Sequence, residues 1–95
     1  MSAILLEKSR TAVDAVSFAS VAIWQLPEPV LGSAHCFKYS LAYVVEEECV
    51  LRYDNERGKG DHRHWHDQEF AYEFSTVECL LRDFYTDIDK WRESR

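Results

Sequence analysis

Apolar residues recur at period two through the middle of this 95-residue chain and at helical period near its end. Over 35–45, Phe37, Tyr39, Leu41, Tyr43 and Val45 share one parity while Lys38 and Ser40 take the other, the pattern of a half-buried antiparallel strand. Upstream, AVSFASVAIWQL (15–26) is rich in β-branched and aromatic residues. Val16, Phe18, Ala22 and Trp24 fall on one side and Val21 and Ile23 on the other, so this strand is expected to be covered on much of both faces. Pro27 and Pro29 end it, because neither can donate to a ladder, and Gly32 and Ser33 extend the turn. Glu46 and Glu47 read as a short connection, without Asn-Gly chemistry, into a strand over 48–54. NERGKGD then reads as a loop in which Gly58 and Gly60 are free to take positive φ. Residues 62–65 and 69–74 read as two short strands or one interrupted one.

The last segment is helical. Ser75 and Glu78 have capping-box spacing, and Val77, Leu80, Leu81, Phe84, Ile88 and Trp91 form one stripe. Arg82, Asp83, Asp87, Lys90 and Glu93 are expected to face outward. The first ten residues fit either a strand or a short N-terminal helix. The whole predicts a single α+β domain over 1–95, an antiparallel sheet of about five strands with the C-terminal amphipathic helix packed on one face.

Charge alters this picture locally. The chain carries −6 overall, from eleven bases and seventeen acids, which is not the balance of a general nucleic-acid binder. Yet Arg52, Arg57, Lys59 and Arg63 crowd into 51–66 beside only Asp54, Glu56 and Asp61, with three of the four histidines. Such local positive charge suits an anionic ligand and leaves acidic surface for a second, basic partner; the alternative is a solvated polar loop. Three widely spaced cysteines, Cys36, Cys49 and Cys79, form no CxxC pair and read as free, buried thiols in a reducing compartment. The opening apolar run is too short for a secretory or membrane segment, so a soluble cytoplasmic protein is expected.

Candidate chemistry concentrates in YDNERGKGDHRHWH, from Tyr53 to His66. If DHRHWH is extended, His62, His64 and His66 point one way and Arg63 and Trp65 the other. Two imidazoles can serve as general acid and base in phosphodiester cleavage, with Arg or Lys on the developing phosphorane charge. An H-x-H pair can equally hold zinc with a nearby Asp or Glu, or the strand can simply be a solvated polar face. Gly58-Lys59-Gly60 lets backbone N–H groups turn toward an anion, although it is not a Walker A loop. Arg52 at a strand end can clamp a phosphate or pair with Asp54 or Glu56. Tyr53 can stack a base or pack in the core, and Glu69 can orient a histidine.

The block LRYDNERGKGDHRHWHDQE, with the following FAYEF and DFYTDIDKW, resembles the TumE-type toxins of prokaryotic type II toxin–antitoxin modules. The resemblance runs from about His35 to the C-terminus; the N-terminal third is similar only in kind. It implies a small toxin neutralised by an antitoxin with a helix-turn-helix DNA-binding domain. The residues matching the shared block are Tyr53, Asp54, Asn55, Gly58, Lys59, Gly60, His62, Arg63 and His64.

The leading expectation is a metal-independent endoribonuclease toxin that needs no cofactor. His62 and His64 would share acid–base work, and Arg52, Tyr53, Asp54, Asn55, Lys59 and Arg63 would contact RNA. The competing expectation is a non-enzymatic binding module whose basic loop docks a protein or nucleic acid. Aromatics expected at the surface, such as Trp24 and Tyr39, are candidates to seat the antitoxin or a second copy in a homodimer.

Overall fold

The computed structural model describes residues 2–95. Six strands, β1 (Ile4–Asp14), β2 (Ser17–Gln25), β3 (Phe37–Val45), β4 (Glu48–Glu56), β5 (Gly60–Trp65) and β6 (Gln68–Ala71), precede helix α1 (Val77–Glu93). They form one meander in which every neighbour is antiparallel and spatial order equals chain order. The fold is therefore α+β, as expected, with one strand more than the sequence pattern separates. That strand is β1: the first ten residues take the extended alternative, paired with β2 from Ile4↔Gln25 to Asp14↔Ser17.

Alternation decides what lies against the helix. Ala19, Val21 and Ile23 of β2, Tyr39, Leu41 and Tyr43 of β3, and Leu51 and Tyr53 of β4 bury beneath Leu80, Phe84, Ile88 and Trp91 of α1. Tyr39 is thus a core residue, not a surface aromatic. The opposite parity of β2, expected to be well covered, stays half-buried at Phe18, Ala22 and Trp24, because nothing is layered over it. Between Tyr43 and Val44 the β3–β4 register shifts, so that Val50 is an extra residue and both Val50 and Leu51 bury. The β3–β4 turn places positive φ on Glu46 (49°) and Glu47 (71°), the twist a two-residue hairpin demands even without glycine. The helix starts one residue later than the capping-box spacing suggests: Thr76 is the N-cap, its side chain accepting from the Cys79 N–H.

The segment between β2 and β3 is strapped to the β4–β5 hairpin. Gly58 N–H donates to the Leu31 carbonyl (2.6 Å). A Cβ on Gly60 (φ +80°) would stand 2.8 Å from the Gly32 oxygen, so that position tolerates no side chain. Asn55 stays in β4 instead of opening the loop; fully buried, it accepts from Tyr39 N–H (3.0 Å) and donates to the Phe37 carbonyl (2.7 Å) and Ser33 Oγ (3.3 Å). Asp61 in β5 accepts from Ser33 Oγ (2.7 Å) and Tyr39 OH (2.7 Å) and meets His35 Nε2 at 2.6 Å. Because His35 Nδ1 accepts from Phe37 N–H, Nε2 carries the proton toward Asp61.

Two outcomes follow for stability. Asn55→Ala strands the Tyr39 N–H and the Phe37 carbonyl, at about 1–3 kcal/mol each; the urea midpoint should fall by the equivalent of about 2–6 kcal/mol with an unchanged m-value. At Asp61, burial pushes the carboxyl up, but the hydrogen bonds from Ser33, Tyr39 and His35 outweigh it and hold the group below its ordinary value. Its contribution is complete above the unfolded pKa of about 4 and drains away as pH falls through the lower folded value. Urea midpoints measured from pH 7 down to pH 2 should therefore fall more steeply on the acid side for the wild type than for Asp61→Asn.

Candidate functional site

The chemistry-bearing block folds as the β4–β5 hairpin, and the pleat divides it into two sides. On the side away from α1, Arg52 stands opposite His64, Asp54 opposite His62, and Glu69 of β6 opposite His64. Five charged or titratable side chains thus share one patch of open sheet. His64 Nε2 lies 3.9 Å from Asp54 Oδ1 and 3.6 Å from Glu69 Oε1, and the ring makes no hydrogen bond to the described residues. Arg52 Nε is 3.9 Å from Asp54 Oδ2, and the Arg52 side chain is exposed while Asp54 is buried at its foot.

The two histidines differ. His62 Nε2 lies 2.9 Å from the Lys59 carbonyl, and a carbonyl only accepts, so this nitrogen carries the ring proton. Its Nδ1 is buried without a hydrogen-bond partner, 3.5 Å from Glu69 Oε1. Both nitrogens of His62 are turned to protein groups, whereas His64 meets its two carboxylates through Nε2 alone, at 3.6 and 3.9 Å. His66 does not join them. It takes φ 57° at the β5–β6 turn, which swings the ring toward Trp91 (5.8 Å between centroids) and Glu48 (3.3 Å). The three-imidazole row expected from an extended DHRHWH is therefore a pair.

The other parity points at the helix. Arg63 Nε donates to Asp87 Oδ2 (2.6 Å), which also accepts from Tyr53 OH (2.7 Å), and Arg63 reaches the Tyr53 oxygen at 3.1 Å. The Asp87 carboxylate raises the Arg63 pKa; burial first and this same carboxylate second push the Tyr53 phenol up. Asp87, expected outward, is 4% exposed. Its spacing held the signal, since it lies three residues after Phe84 and four before Trp91, on the stripe itself. Of the residues matching the shared block, Tyr53, Asn55 and Arg63 thus lie on the helix side and Asp54, His62 and His64 on the open side. Lys59 is exposed at the tip, 3.9 Å from Glu56, between Gly58 (φ 84°) and Gly60.

Sequence reasoning passed over His35 and Asp61, because the contacts that join them span 26 residues. The cysteines are free, as expected, but none is buried: Cys49 is exposed and Cys36 and Cys79 are half-buried. Among the described residues no three His, Cys, Asp or Glu side chains gather as a metal-binding group, and no helix is long and apolar enough to cross a membrane.

No curated protein and no solved structure matches the chain. A family model described as toxin TumE matches residues 4–92. The match takes in β1 and β2 along with the YDN, GKG and HRH block, so it extends beyond the His35-to-C-terminus stretch that carries the resemblance. A toxin role, with an antitoxin as its counterpart, comes with that assignment: the chain belongs to the TumE toxin family.

Proposed function

We propose that this toxin is an endoribonuclease whose cleavage site is the open side of β4–β6. The observation that carries the reading is His64, an imidazole without a hydrogen bond to the described residues, set directly across from Arg52 and with Nε2 3.6 Å from Glu69. In the proposed reaction His64 takes the proton of a ribose 2′-hydroxyl as that oxygen attacks the adjacent phosphorus. The P–O5′ bond then breaks, the proton passes to the departing 5′ oxygen, and a 2′,3′-cyclic phosphate remains. Arg52 faces the charge that builds on the phosphorane oxygens. His62 is a positioning residue, holding the Lys59 backbone with Nε2 and facing Glu69 with Nδ1. Lys59 and the amides of its glycine-flanked tip hold a neighbouring phosphate. No metal ion has a part in the scheme. The setting that goes with it is cytoplasmic, with residues 1–95 acting as one toxin domain and the cognate antitoxin carrying a helix-turn-helix domain.

The test pairs growth with chemistry. Inducing the wild type should arrest growth, and the purified protein should cut RNA equally well with and without chelator. His64→Ala should lower the cleavage rate by about 10²–10⁴-fold and restore growth, while His62→Ala falls less far. A His64→Ala protein with wild-type melting behaviour that still arrests growth sinks the catalytic assignment. If toxicity is lost instead on replacing Arg57 and Lys59, the hairpin tip is a docking element and the toxin acts by binding.

A further inference from the structure

The open face continues from the histidine site toward β1, and its side chains change size in a regular way. Ala22 stands opposite Ser40, and Ser20 opposite Ala42, so four small side chains floor the middle of β2 and β3. Lys8 and Arg10 of β1 flank this floor on one side, opposite Ala22 and Ser20. Arg52 and Asp54 flank it on the other, opposite Ala42 and Ser40. Trp24 and Lys38 close one end as a cross-strand pair, and Phe18 and Val44 the other. The walls are three strand spacings apart, about 14 Å.

The charges within this trough oppose the sign of the chain as a whole. Lys8, Arg10, Lys38 and Arg52 line it against Asp54 and Glu56, while the chain carries −6. Both carboxylates have cations beside them, Arg52 for Asp54 and Lys59 for Glu56. Lys38 reaches across the sheet to donate to the Asn55 carbonyl, which fixes its ammonium beside β4. At the Phe18 end Arg10 already lies over the ring (3.8 Å), and Asp14, Glu46 and Glu47 gather nearby. That end repels a polyanion. At the Trp24 end the carboxylate of the trough is Glu56, which Lys59 accompanies, and Arg52 and His64 lie two residue pairs along the strands, in the row of Ser20 and Ala42.

We infer that the trough is a single-stranded RNA track, with Trp24 stacking a base and Lys8, Lys38 and Arg52 holding the phosphates that lead to His64. The inference rests on the endoribonuclease reading and names how its substrate is held. The occupant follows from charge and chemistry together. Cations beside an indole face are the combination that binds single strands without regard to sequence. A floor half made of serine offers little to an apolar helix, and β-form walls this close exclude a duplex lying flat. Lys8 and Arg10 also bring like charges together if two copies of β1 pair edge to edge, which disfavours a second chain here.

Binding of a fluorescently labelled octauridylate to full-length protein, read by anisotropy over a range of salt, tests this. His64→Ala serves as the background so that the probe is not cut. Trp24→Ala should weaken binding about fivefold to a hundredfold, and Trp24→Phe, which keeps a stacking face, should recover most of it. Lys8→Ala should lower the slope of log K against log salt by about 0.7, the share of one released counterion. Melting curves of the variants show whether the fold is kept. Unchanged affinity in folded Trp24→Ala overturns the track, even where His64→Ala abolishes cleavage and the endoribonuclease reading stands. Failure of the background protein to bind the probe overturns it too, and if the wild type also cuts no RNA the endoribonuclease reading falls with it. Loss of antitoxin binding in Trp24→Ala with RNA affinity intact assigns the face to the protein partner and overturns the track as well.

Discussion

Among the described residues only one helix is available to cover six strands, and the arrangement of everything else depends on that. Helix α1 has 17 residues, a rod of about 25 Å, enough to lie across one face of the meander and no more. β2, β3 and β4 therefore send one parity into a core and leave the other without a layer above it, while β1 and β6 bury no residue of their own. On such a sheet a one-residue change of register would exchange the two sets completely. The bulge at Val50 is the place where the chain uses this deliberately: it buries two consecutive residues of β4 and then restores the alternation that puts Tyr53 inside and Arg52 and Asp54 outside.

The buried parity is unusually rich in tyrosine, and that explains part of the acidity. A buried phenol needs an acceptor. Tyr39 donates to Asp61, Tyr53 to Asp87, Tyr72 to Asp83 and Tyr43 to Ser17. Burial and the neighbouring carboxylate raise the phenols of Tyr39, Tyr53 and Tyr72, so these three remain protonated donors. Three carboxylates are thereby committed to satisfying core hydroxyls. The net charge of −6 combines these with surface acids and says little about the face a ligand would meet. A sum over the sequence could not reveal this, because which acids lie under the helix depends on pairings 11 to 34 residues apart.

What could be read from the sequence was what repeats locally. The alternation over Phe37–Val45, the helical stripe from Val77 to Trp91 and the positive-φ glycines at 58 and 60 are each set by neighbours within a turn or a pleat. Asp87 was misplaced because its charge was weighed above its position on the stripe; Arg63, brought to it from β5, is what makes burial tolerable. His66 was misplaced because alternation was carried one residue past the end of the strand, into a turn. The clamp of Asn55, Asp61, His35 and Ser33 was invisible for a different reason: its members come from three separate elements, and no local pattern marks them as partners.

That clamp also bears on how a site can be built on so open a surface. Side chains on an exposed sheet face ordinarily have freedom to drift, and acid–base chemistry needs them held to within fractions of an ångström. Here the residues on the two faces of the hairpin are sequence neighbours. Asn55 and Asp61 follow and precede Asp54 and His62, and Arg63, fixed by Asp87, sits between His62 and His64. Each buried residue pins the backbone from which an open-face side chain projects. Packing on the helix side thus lends rigidity to the side that lacks a layer of its own. The hairpin tip is held from a third direction, through the Gly32–Gly60 approach and the Gly58–Leu31 hydrogen bond. So open a face can then still be a preorganised one, because the order it needs is supplied through the thickness of the sheet.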